Sequence, residues 1–220
     1  MFFSDVLSFK PKTRNRKLLK SMQKKNPIVI SAPSCGGKTS TVKALLAYFK
    51  IHPPSSHELD RVITSTTRQP RPEEKPGIDY IFYKELDFRI KLATGQFIEH
   101  VIYDENYYGV EKASLEKVFE EKKVPLLNIN LDGASAVRAH YPEARIIFLV
   151  PRSIDELRKR LIERGDSPKQ VKNRLDQAER ELANWTACCH VGVVNIEGKQ
   201  HDTIKLVAES IRGYLGDDHH

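Results

Sequence analysis

Short apolar runs alternate with segments of helical periodicity along most of the chain. The apolar runs have the length of buried strands and cover residues 27–31, 124–131, 145–150 and 191–195. Helical patterns cover residues 39–49, 85–94, 134–140, 153–182 and 202–215. This alternation predicts an α/β fold with a parallel sheet that is covered by helices on both faces. In such folds, the ligand loops collect at the carboxyl edge of the sheet.

Two stretches interrupt the alternation. Residues 52–57 contain Pro53 and Pro54, and residues 68–77 are rich in proline and charge. Both are predicted to be loops, and residues 68–77 to lie at the surface, because proline ends helices and removes a backbone donor. The sequence contains no internal repeat.

Composition narrows the class of protein. The chain has 220 residues, of which 40% are hydrophobic and 30% charged, so one substantial core with small inserted subdomains is expected. No apolar run approaches the about 18 residues that a membrane-spanning helix needs, so we expect a soluble protein without a membrane partner. Two of the three cysteines, Cys188 and Cys189, are adjacent, which is poor geometry for a disulfide and favours a reducing, cytoplasmic compartment.

The positive charge is concentrated at the N-terminus. Residues 1–26 contain eight Lys or Arg and one Asp, which accounts for the whole formal charge of +7. The rest of the chain is close to neutral, so the basic pI is no argument for a nucleic-acid partner. This extension has the composition of an organelle transit peptide, a docking arm or a solvated tail, and the sequence does not decide among the three.

A phosphate-binding loop follows the first predicted strand. Residues 32–39 match the pattern G-x-x-x-x-G-K-S/T except at the first position, where alanine replaces glycine. Between a strand and a helix, the backbone N–H groups of this loop and the helix N-terminus converge on phosphate oxygens. Lys38 is expected to neutralise the β- and γ-phosphates and Thr39 to offer its hydroxyl to Mg²⁺. The predicted ATP contacts in this loop are Ala32, Pro33, Ser34, Cys35, Gly36, Gly37, Lys38, Thr39 and Ser40.

A second set of motifs lies between residues 64 and 109. Residues 64–71 read T-S-T-T-R-Q-P-R, and they are followed by G-x-D-Y-x-F at 77–82, F-I-E at 97–99 and N-Y-Y-G at 106–109. In order and spacing these motifs resemble those of guanylate kinases, whose first motif is S-S-T-T-R-x-P-R. The resemblance extends from about residue 27 to the last helix and leaves only the N-terminal extension outside it.

The resemblance implies a GMP site. It implies that Arg68, Arg71, Tyr80 and Tyr108 hold the GMP phosphate and that Glu99 reads the base. Arginine binds phosphate through two parallel hydrogen bonds, and a carboxylate accepts from guanine N1–H and the 2-amino group together. The remaining GMP contacts implied by the alignment are Thr64, Val110 and Asn130.

Residues 153–184 resemble the family's lid. The implied catalytic residues are Lys38 of the phosphate loop and Arg160, Arg164 and Arg174 of the lid, because phosphoryl transfer needs positive groups on the equatorial oxygens of the moving phosphate. A solvated helix with Glu156 and Arg160 four residues apart would show a similar density of charge. Asn195 matches a family position near the adenine of ATP.

Three departures from the family pattern bear on activity. Asn128 and Asn130 stand where the family has acidic residues, so Asn128, or Asp132 further along, is the candidate to hold the magnesium's water. Val110 replaces a Ser or Thr, which removes one hydroxyl near the base. Cys35 replaces a loop glycine, and we expect Gly36 to take the unusual dihedral in its place.

The resemblance as a whole implies a P-loop NTPase fold in three layers, with a central parallel sheet, an inserted mixed α+β GMP-binding subdomain and a helical lid. The implied division is a core of residues 27–63, 124–152 and 185–220, a GMP-binding subdomain of residues 64–123 and a lid of residues 153–184. The implied activity is ATP-dependent phosphorylation of GMP or dGMP, with Mg²⁺ as cofactor, by a monomer or homodimer in purine metabolism. A non-catalytic guanylate-kinase-like binding module and a kinase for another nucleoside monophosphate are the alternatives.

Overall fold

A parallel sheet forms the centre of the protein in the computed structural model, which describes residues 26–54 and 58–217. Its strands are β1 (Ile28–Ser31), β2 (Leu59–Arg61), β7 (Val124–Asn128), β8 (Arg145–Pro151) and β9 (Val191–Asn195). The strand order is β2-β7-β1-β8-β9, and every pairing is parallel. The predicted N-terminal extension, apart from Asn26, lies outside the described residues.

Helices cover both faces of this sheet. On one face, Ile28 and Ile30 pack with α1 (Lys38–Ile51) and α7 (Gln200–Leu215), whereas Val29 points to the other face. There it packs with α3 (Lys112–Glu120) and α4 (Leu131–His140). This alternation is the reason that the central strands are apolar at successive positions. The predicted three-layer α/β fold is confirmed.

A mixed sheet is inserted between β2 and α3. Its strands are β3 (Ser65–Thr66), β4 (Ile81–Phe82), β5 (Phe97–Tyr103) and β6 (Asn106–Glu111), in the order β4-β3-β6-β5. Helix α2 (Glu85–Ala93) packs on it through the fully buried Phe88, whose ring stacks on Phe97 at 4.3 Å between centroids. All of these elements lie within residues 64–123. The exact boundaries of the inserted subdomain stay a prediction.

Two helices form a separate hairpin beside the sheet. Helices α5 (Ile154–Glu163) and α6 (Pro168–Asn184) share a small core that contains Leu157, Leu161, Val171 and Leu175. A capping box between Ser167 and Gln170 begins α6, so the chain breaks between the two helices and does not form the single helical segment that periodicity predicts.

Other differences from the predicted elements have local causes. Strand β7 ends at Asn128 and not at residue 131, because the Asn130 side chain accepts a hydrogen bond from Gly133 N and caps α4. Sequence analysis missed strands β2 to β6 and helix α3. Strands β2, β3 and β4 have only two or three residues, which is too few for a periodic pattern. Among the described residues, no helix combines the length and apolar composition that a membrane span requires.

Candidate active site

A cleft of about 380 Å³ lies where the phosphate loop, the inserted subdomain and the α5–α6 hairpin meet. Twenty of the residues predicted from the sequence line it. They are Ala32, Pro33, Ser34, Cys35, Gly36, Gly37, Lys38, Thr39, Ser40, Thr64, Arg68, Arg71, Tyr80, Glu99, Tyr108, Asn128, Asn130, Arg160, Arg164 and Arg174. Val110, Asp132 and Asn195 were also predicted but are not among the lining residues.

The phosphate loop connects β1 to α1. Gly36 N donates to Pro33 O at 2.9 Å, and α1 begins directly after the loop at Lys38. The Lys38 ammonium donates to the backbone oxygens of Ala32 and Pro33, the latter at 3.1 Å. Burial lowers the pKa of Lys38, while the nearby Glu181 carboxylate acts in the opposite direction. Lys38 is therefore held against carbonyl groups inside the phosphate loop. The backbone N–H groups of such a loop can surround a phosphate group.

The backbone of this loop differs from the prediction at one residue. Gly36 does not take the left-handed conformation; Cys35 takes it at φ 58° and Gly37 at φ 91°. A left-handed conformation costs a non-glycine residue about 1–2 kcal/mol, which the loop must compensate by its contacts. One such contact is the hydrogen bond from Arg160 Nη1 to Cys35 O at 3.1 Å.

Asn195 was predicted to contact ATP. Its side chain instead lies outside the cleft and contacts the backbone of the phosphate loop. Its side chain is buried, and Nδ2 donates to Gly36 O at 2.9 Å while Oδ1 accepts from Thr203 Oγ1 at 3.2 Å. A Cβ at Gly37 would lie 2.3 Å from Asn195 Nδ2. The side chain points into the protein because the end of β9 lies under the loop.

Thr39 is the residue best placed to contact a magnesium ion. Its hydroxyl lines the cleft and accepts a hydrogen bond from Asn128 Nδ2 at 3.1 Å. Asp132 lies instead on the exposed side of the first turn of α4, and not at the end of β7 as the sequence suggested. Within the part of the chain that the structure describes, no group of three or more His, Cys, Asp or Glu side chains could hold a metal ion.

This donor set fits Mg²⁺ that is carried by a nucleotide. Mg²⁺ prefers oxygen ligands and keeps several waters, and it binds through one or two protein groups together with substrate phosphates. The Thr39 hydroxyl and the Asn128 amide oxygen meet that requirement, whereas they could not form a protein-only cage.

Arg68 and Arg71 lie at the opposite end of the cleft. Arg68 Nη2 donates to both oxygens of Glu74 at 2.8 and 2.9 Å, and its guanidinium lies 5.5 Å from the centre of the Tyr80 ring. Glu74 also accepts from Arg71 N at 2.9 Å, which orders the 68–77 loop. Burial raises the pKa of Tyr80, so this phenol stays protonated and can donate.

Glu99 is a buried carboxylate that faces the cleft. It is 6% exposed, and its Oε2 has no hydrogen-bond partner among the described residues. Burial raises the pKa of Glu99 to about 7, and the backbone N–H of Val110 opposes part of this rise. A Cβ at Gly133 would lie 2.8 Å from Oε2, so α4 passes close to this carboxylate. A ligand with N–H donors would satisfy the free oxygen.

Two other predicted base contacts have different surroundings. The Val110 side chain is fully buried in the core cluster with Ile98 and Leu115, so the prediction that it contacts the base is wrong for the side chain. Its contribution to the site is the backbone N–H beside Glu99. Asn130 does line the cleft, but its Oδ1 is engaged in capping α4.

The three lid arginines reach the cleft, and each is paired with an acid. Arg160 pairs with Glu156, and Arg164 pairs with Asp166. Arg174 donates to Ser34 Oγ of the phosphate loop at 3.2 Å and to Asp104 at 2.8 Å. The alternative interpretation, in which these charges only solvate an exposed helix, is therefore wrong for the guanidinium groups of Arg160, Arg164 and Arg174.

Glu181 is the most informative residue that sequence reasoning missed. It lines the cleft while 6% exposed, Gln177 donates to its Oε1 at 3.0 Å, and Oε2 has no partner among the described residues. Burial raises its pKa, and the nearby Lys38 acts in the opposite direction. A signal was present in the sequence, because Glu181 continues the buried stripe of Val171, Leu175 and Ala178 on α6.

The cleft thus contains two sets of candidate anion contacts and two buried carboxylates, Glu99 and Glu181, each with an oxygen that lacks a partner among the described residues. Lys38 and the phosphate loop make up the first set, and Arg68, Arg71 and two tyrosines make up the second. The lid arginines lie between the loop and the inserted subdomain. Such a site can bring two phosphate groups together while Glu99 selects the base of one of them.

Comparisons with known proteins agree on one family. A sequence model described as "Guanylate kinase" matches residues 24–212. The guanylate kinase of Thermosynechococcus vestitus is 40% identical over 157 residues, which are 71% of this chain and 78% of that protein. The guanylate kinase of Bdellovibrio bacteriovorus is 31% identical over 185 residues, which are 84% of this chain and 96% of that protein.

A solved structure gives the same result. The crystal structure of guanylate kinase from Anaplasma phagocytophilum superposes with a TM-score of 0.67 at 26% identity. The superposition covers 87% of this chain and 86% of that chain.

Proposed function

The chain belongs to the guanylate kinase family and has a P-loop NTPase fold, and we propose that it transfers the γ-phosphoryl group of ATP to GMP or dGMP. The observation that carries the proposal is the single cleft that contains both Lys38 in its amide cradle and Glu99 with a free, buried oxygen. The first group suits a triphosphate, and the second suits guanine. We further propose that the enzyme acts where ATP is available, in the cytoplasm.

The phosphate loop is proposed to bind the donor nucleotide. Its amides and the N-terminus of α1 would hold the β- and γ-phosphates, and Lys38 would leave the carbonyls of Ala32 and Pro33 to neutralise them. Thr39 and Asn128 would hold the Mg²⁺ that accompanies ATP. When bound, this ion neutralises charge on the β- and γ-phosphate oxygens.

The inserted subdomain is proposed to bind the acceptor nucleotide. Arg68, Arg71, Tyr80 and Tyr108 would contact the phosphate of GMP, with Glu74 keeping Arg68 in place. Glu99 would accept from guanine N1–H and the 2-amino group, with the hydroxyl of Thr64 beside it. Adenine has no N1–H donor, so AMP would leave a buried carboxylate without a partner, which is a strong basis for rejection.

The transfer step is proposed to be a direct in-line displacement. An oxygen of the GMP phosphate forms a bond to the γ-phosphorus as the bond to the β–γ bridging oxygen breaks, which yields GDP and ADP. Arg160, Arg164 and Arg174 supply positive charge around the moving group and exclude water. The described cleft needs no covalent intermediate, because positioning and charge are sufficient for this reaction.

A coupled assay of ADP release tests this proposal directly. We expect turnover with GMP and dGMP and at least about a hundredfold lower kcat/KM with AMP, UMP and CMP, because only guanine supplies both donors to Glu99. Equal turnover of AMP would contradict the assignment of Glu99. Tight GMP binding without ADP formation would instead favour the guanylate-kinase-like binding module, an alternative suggested by the amides at Asn128 and Asn130.

Removing the Lys38 ammonium tests the phosphate loop. In Lys38→Ala we expect kcat/KM for ATP to fall by about a thousandfold, because the charge that faces the triphosphate is lost. Lys50→Ala, an exposed position in the last turn of the same helix, is the matched control and should keep wild-type kinetics. Near-normal ATP turnover in Lys38→Ala would contradict the proposed donor site.

A further inference from the structure

Arg174 contacts three parts of the protein, namely the phosphate loop, the β5–β6 hairpin and the turn between α5 and α6. Its Nη1 donates to Ser34 Oγ of the phosphate loop at 3.2 Å, and its Nη2 donates to Asp104 Oδ2 at 2.8 Å. Its Nε lies 3.4 Å from Asp166 Oδ2, and its guanidinium lies 5.0 Å from the centre of the Tyr103 ring. The side chain is 12% exposed, so its position is determined by these contacts.

Asp104 contacts α6 at two residues one helical turn apart. The same oxygen, Oδ2, accepts from Arg174 Nη2 and from Gln170 Nε2, the latter at 3.0 Å. Gln170 is itself oriented by the capping box, since its Oε1 accepts from Ser167 N at 3.0 Å. The amide group of Gln170 therefore presents its donors to Asp104, and the carboxylate is held between two fixed partners.

The turn between β5 and β6 directs Asp104 toward the lid. Asp104 and Glu105 both have positive φ, at 51° and 62°, as the central residues of a type I′ hairpin do. Asn106 Nδ2 donates to Asp104 O at 2.7 Å and closes the turn. The hairpin belongs to the inserted subdomain, so this contact joins the predicted GMP-binding unit to the predicted lid.

We propose that Asp104 is a positioning residue for phosphoryl transfer: it holds the guanidinium of Arg174 at the phosphate loop and joins the β5–β6 hairpin to the lid in the closed cleft. Asp104 lines no part of the cleft and acts through Arg174. Free arginine side chains sample many rotamers, and a pre-oriented guanidinium loses less entropy when the transferring phosphate arrives. The inference rests on the proposed function and adds a residue to it.

The principal test compares Asp104→Asn with Asp104→Glu and with Glu105→Gln. The first removes the charge but keeps the size, the second restores the carboxylate, and the third changes the neighbouring exposed acid at the hairpin tip. For Asp104→Asn we expect kcat to fall between about tenfold and a hundredfold, because a misplaced catalytic group costs that much. The dissociation constant for GMP, measured by calorimetry, should stay within about twofold, since Arg68, Arg71 and Glu99 are unchanged.

Asp104→Glu should recover part of the lost kcat, and Glu105→Gln should keep the wild-type value. A purely structural role for Asp104 would lower GMP binding and thermal stability together with kcat, and that outcome would overturn the inference. An unchanged kcat in Asp104→Asn would also overturn it, because the carboxylate would then contribute nothing to transfer. A raised kcat would overturn it as well, because Asp104 would then hold Arg174 in an unproductive position.

A double-mutant cycle ties the effect to Arg174. In an Arg174→Lys background, where the forked contact is lost, Asp104→Asn should lower kcat by less than about twofold further. Equal losses in both backgrounds would overturn the inference while leaving the proposed function intact. Absence of phosphoryl transfer to GMP in the wild-type protein and in Glu105→Gln would overturn both.

Discussion

Lys38 and Glu99 are both buried in the cleft, but their hydrogen bonding differs. Lys38 has two backbone oxygens as acceptors, whereas Oε2 of Glu99 has no donor among the described residues. A buried carboxylate without a partner prefers the protonated form, which is why the pKa of Glu99 rises to about 7. Guanine would supply the missing donors. The unpaired oxygen of Glu99 is therefore the feature on which the proposed base recognition depends.

Glu99 should make the stability of the nucleotide-free protein depend on pH. Its folded pKa is about 7 and its ordinary value 4.5, so the folded state binds the proton more tightly, and stability decreases as pH rises between these values. We expect the unfolding free energy of wild type, relative to Glu99→Gln, to fall by about 3 kcal/mol between pH 4 and pH 8. Urea titrations at several pH values measure this difference.

The control for this prediction is Glu105→Gln, which changes an exposed acid and should follow the pH profile of the wild type. Parallel profiles for wild type and Glu99→Gln would show that the Glu99 carboxylate is not destabilised by burial. In the presence of saturating GMP, the unfolding free energy of wild type relative to Glu99→Gln should instead increase as pH rises, because the charged carboxylate then has donors.

At the scale of elements, the end of β9 connects three segments that are far apart in sequence. Asn195 bonds to Gly36 of the phosphate loop, 159 residues away, and to Thr203 in the first turns of α7. The loop has two left-handed residues, Cys35 and Gly37, and needs external support to keep that backbone. Asn195 provides it with a buried amide whose nitrogen and oxygen each have a hydrogen-bond partner.

Replacing Asn195 with alanine should destabilise the protein and weaken ATP binding. The substitution leaves Gly36 O without its side-chain donor, and it leaves the Thr203 hydroxyl with only the longer contact to Lys199 O at 3.5 Å. We expect a cost of about 2 kcal/mol, which corresponds to a Tm lower by about 4–8 °C. KM for ATP should rise, while KM for GMP stays near the wild-type value. Val194→Ala, on the opposite and exposed side of the same strand, should change Tm by less than about 2 °C. An unchanged Tm in Asn195→Ala would contradict this supporting role.

At the scale of the whole molecule, three units meet around one cleft. The core sheet and the inserted sheet share an apolar cluster, whereas the α5–α6 hairpin has one of its own. The core sheet carries the phosphate loop, the inserted sheet carries Arg68 and Glu99, and the α5–α6 hairpin carries the lid arginines. The side chains that join the α5–α6 hairpin to the other two units include Arg174, which contacts Asp104, and Arg160, which contacts Cys35. A nucleotide bound between these units can therefore change how the hairpin fits against them.

Binding of the two nucleotides should therefore be cooperative. A ligand at about a hundred times its dissociation constant stabilises a folded protein by about 2.7 kcal/mol. We expect the rise in Tm with GMP and a non-hydrolysable ATP analogue together to exceed the sum of the separate rises, because each ligand favours the arrangement in which the lid and the inserted subdomain touch. Strictly additive shifts would contradict this expectation. Arg68→Ala, which removes a GMP contact, should abolish the excess.

Features set by residues close together in the sequence were predicted more accurately than features set by contacts between distant segments. The position of the phosphate loop was predicted, because its geometry comes from consecutive backbone groups beside Gly37 and Lys38, but the left-handed residue before Gly37 is Cys35 and not Gly36. The end of β7 was missed, because the cap at Asn130 competes with strand formation only once α4 is in place. Short strands such as β3 form through pairing with β4 and β6, so their own residues carry little signal.

The amino-acid sequence alone determined the α/β alternation, the phosphate loop and the family of the chain, because each depends on residues close together in sequence or on motifs in a conserved order. Only the tertiary structure decided that Val110 is core, that Asn195 supports the loop, that Glu181 faces Lys38 and that Asp104 holds Arg174. These roles depend on contacts between residues such as Asp104 and Arg174, which are 70 positions apart. No local pattern encodes such a contact, since packing of separate elements sets which side chains meet.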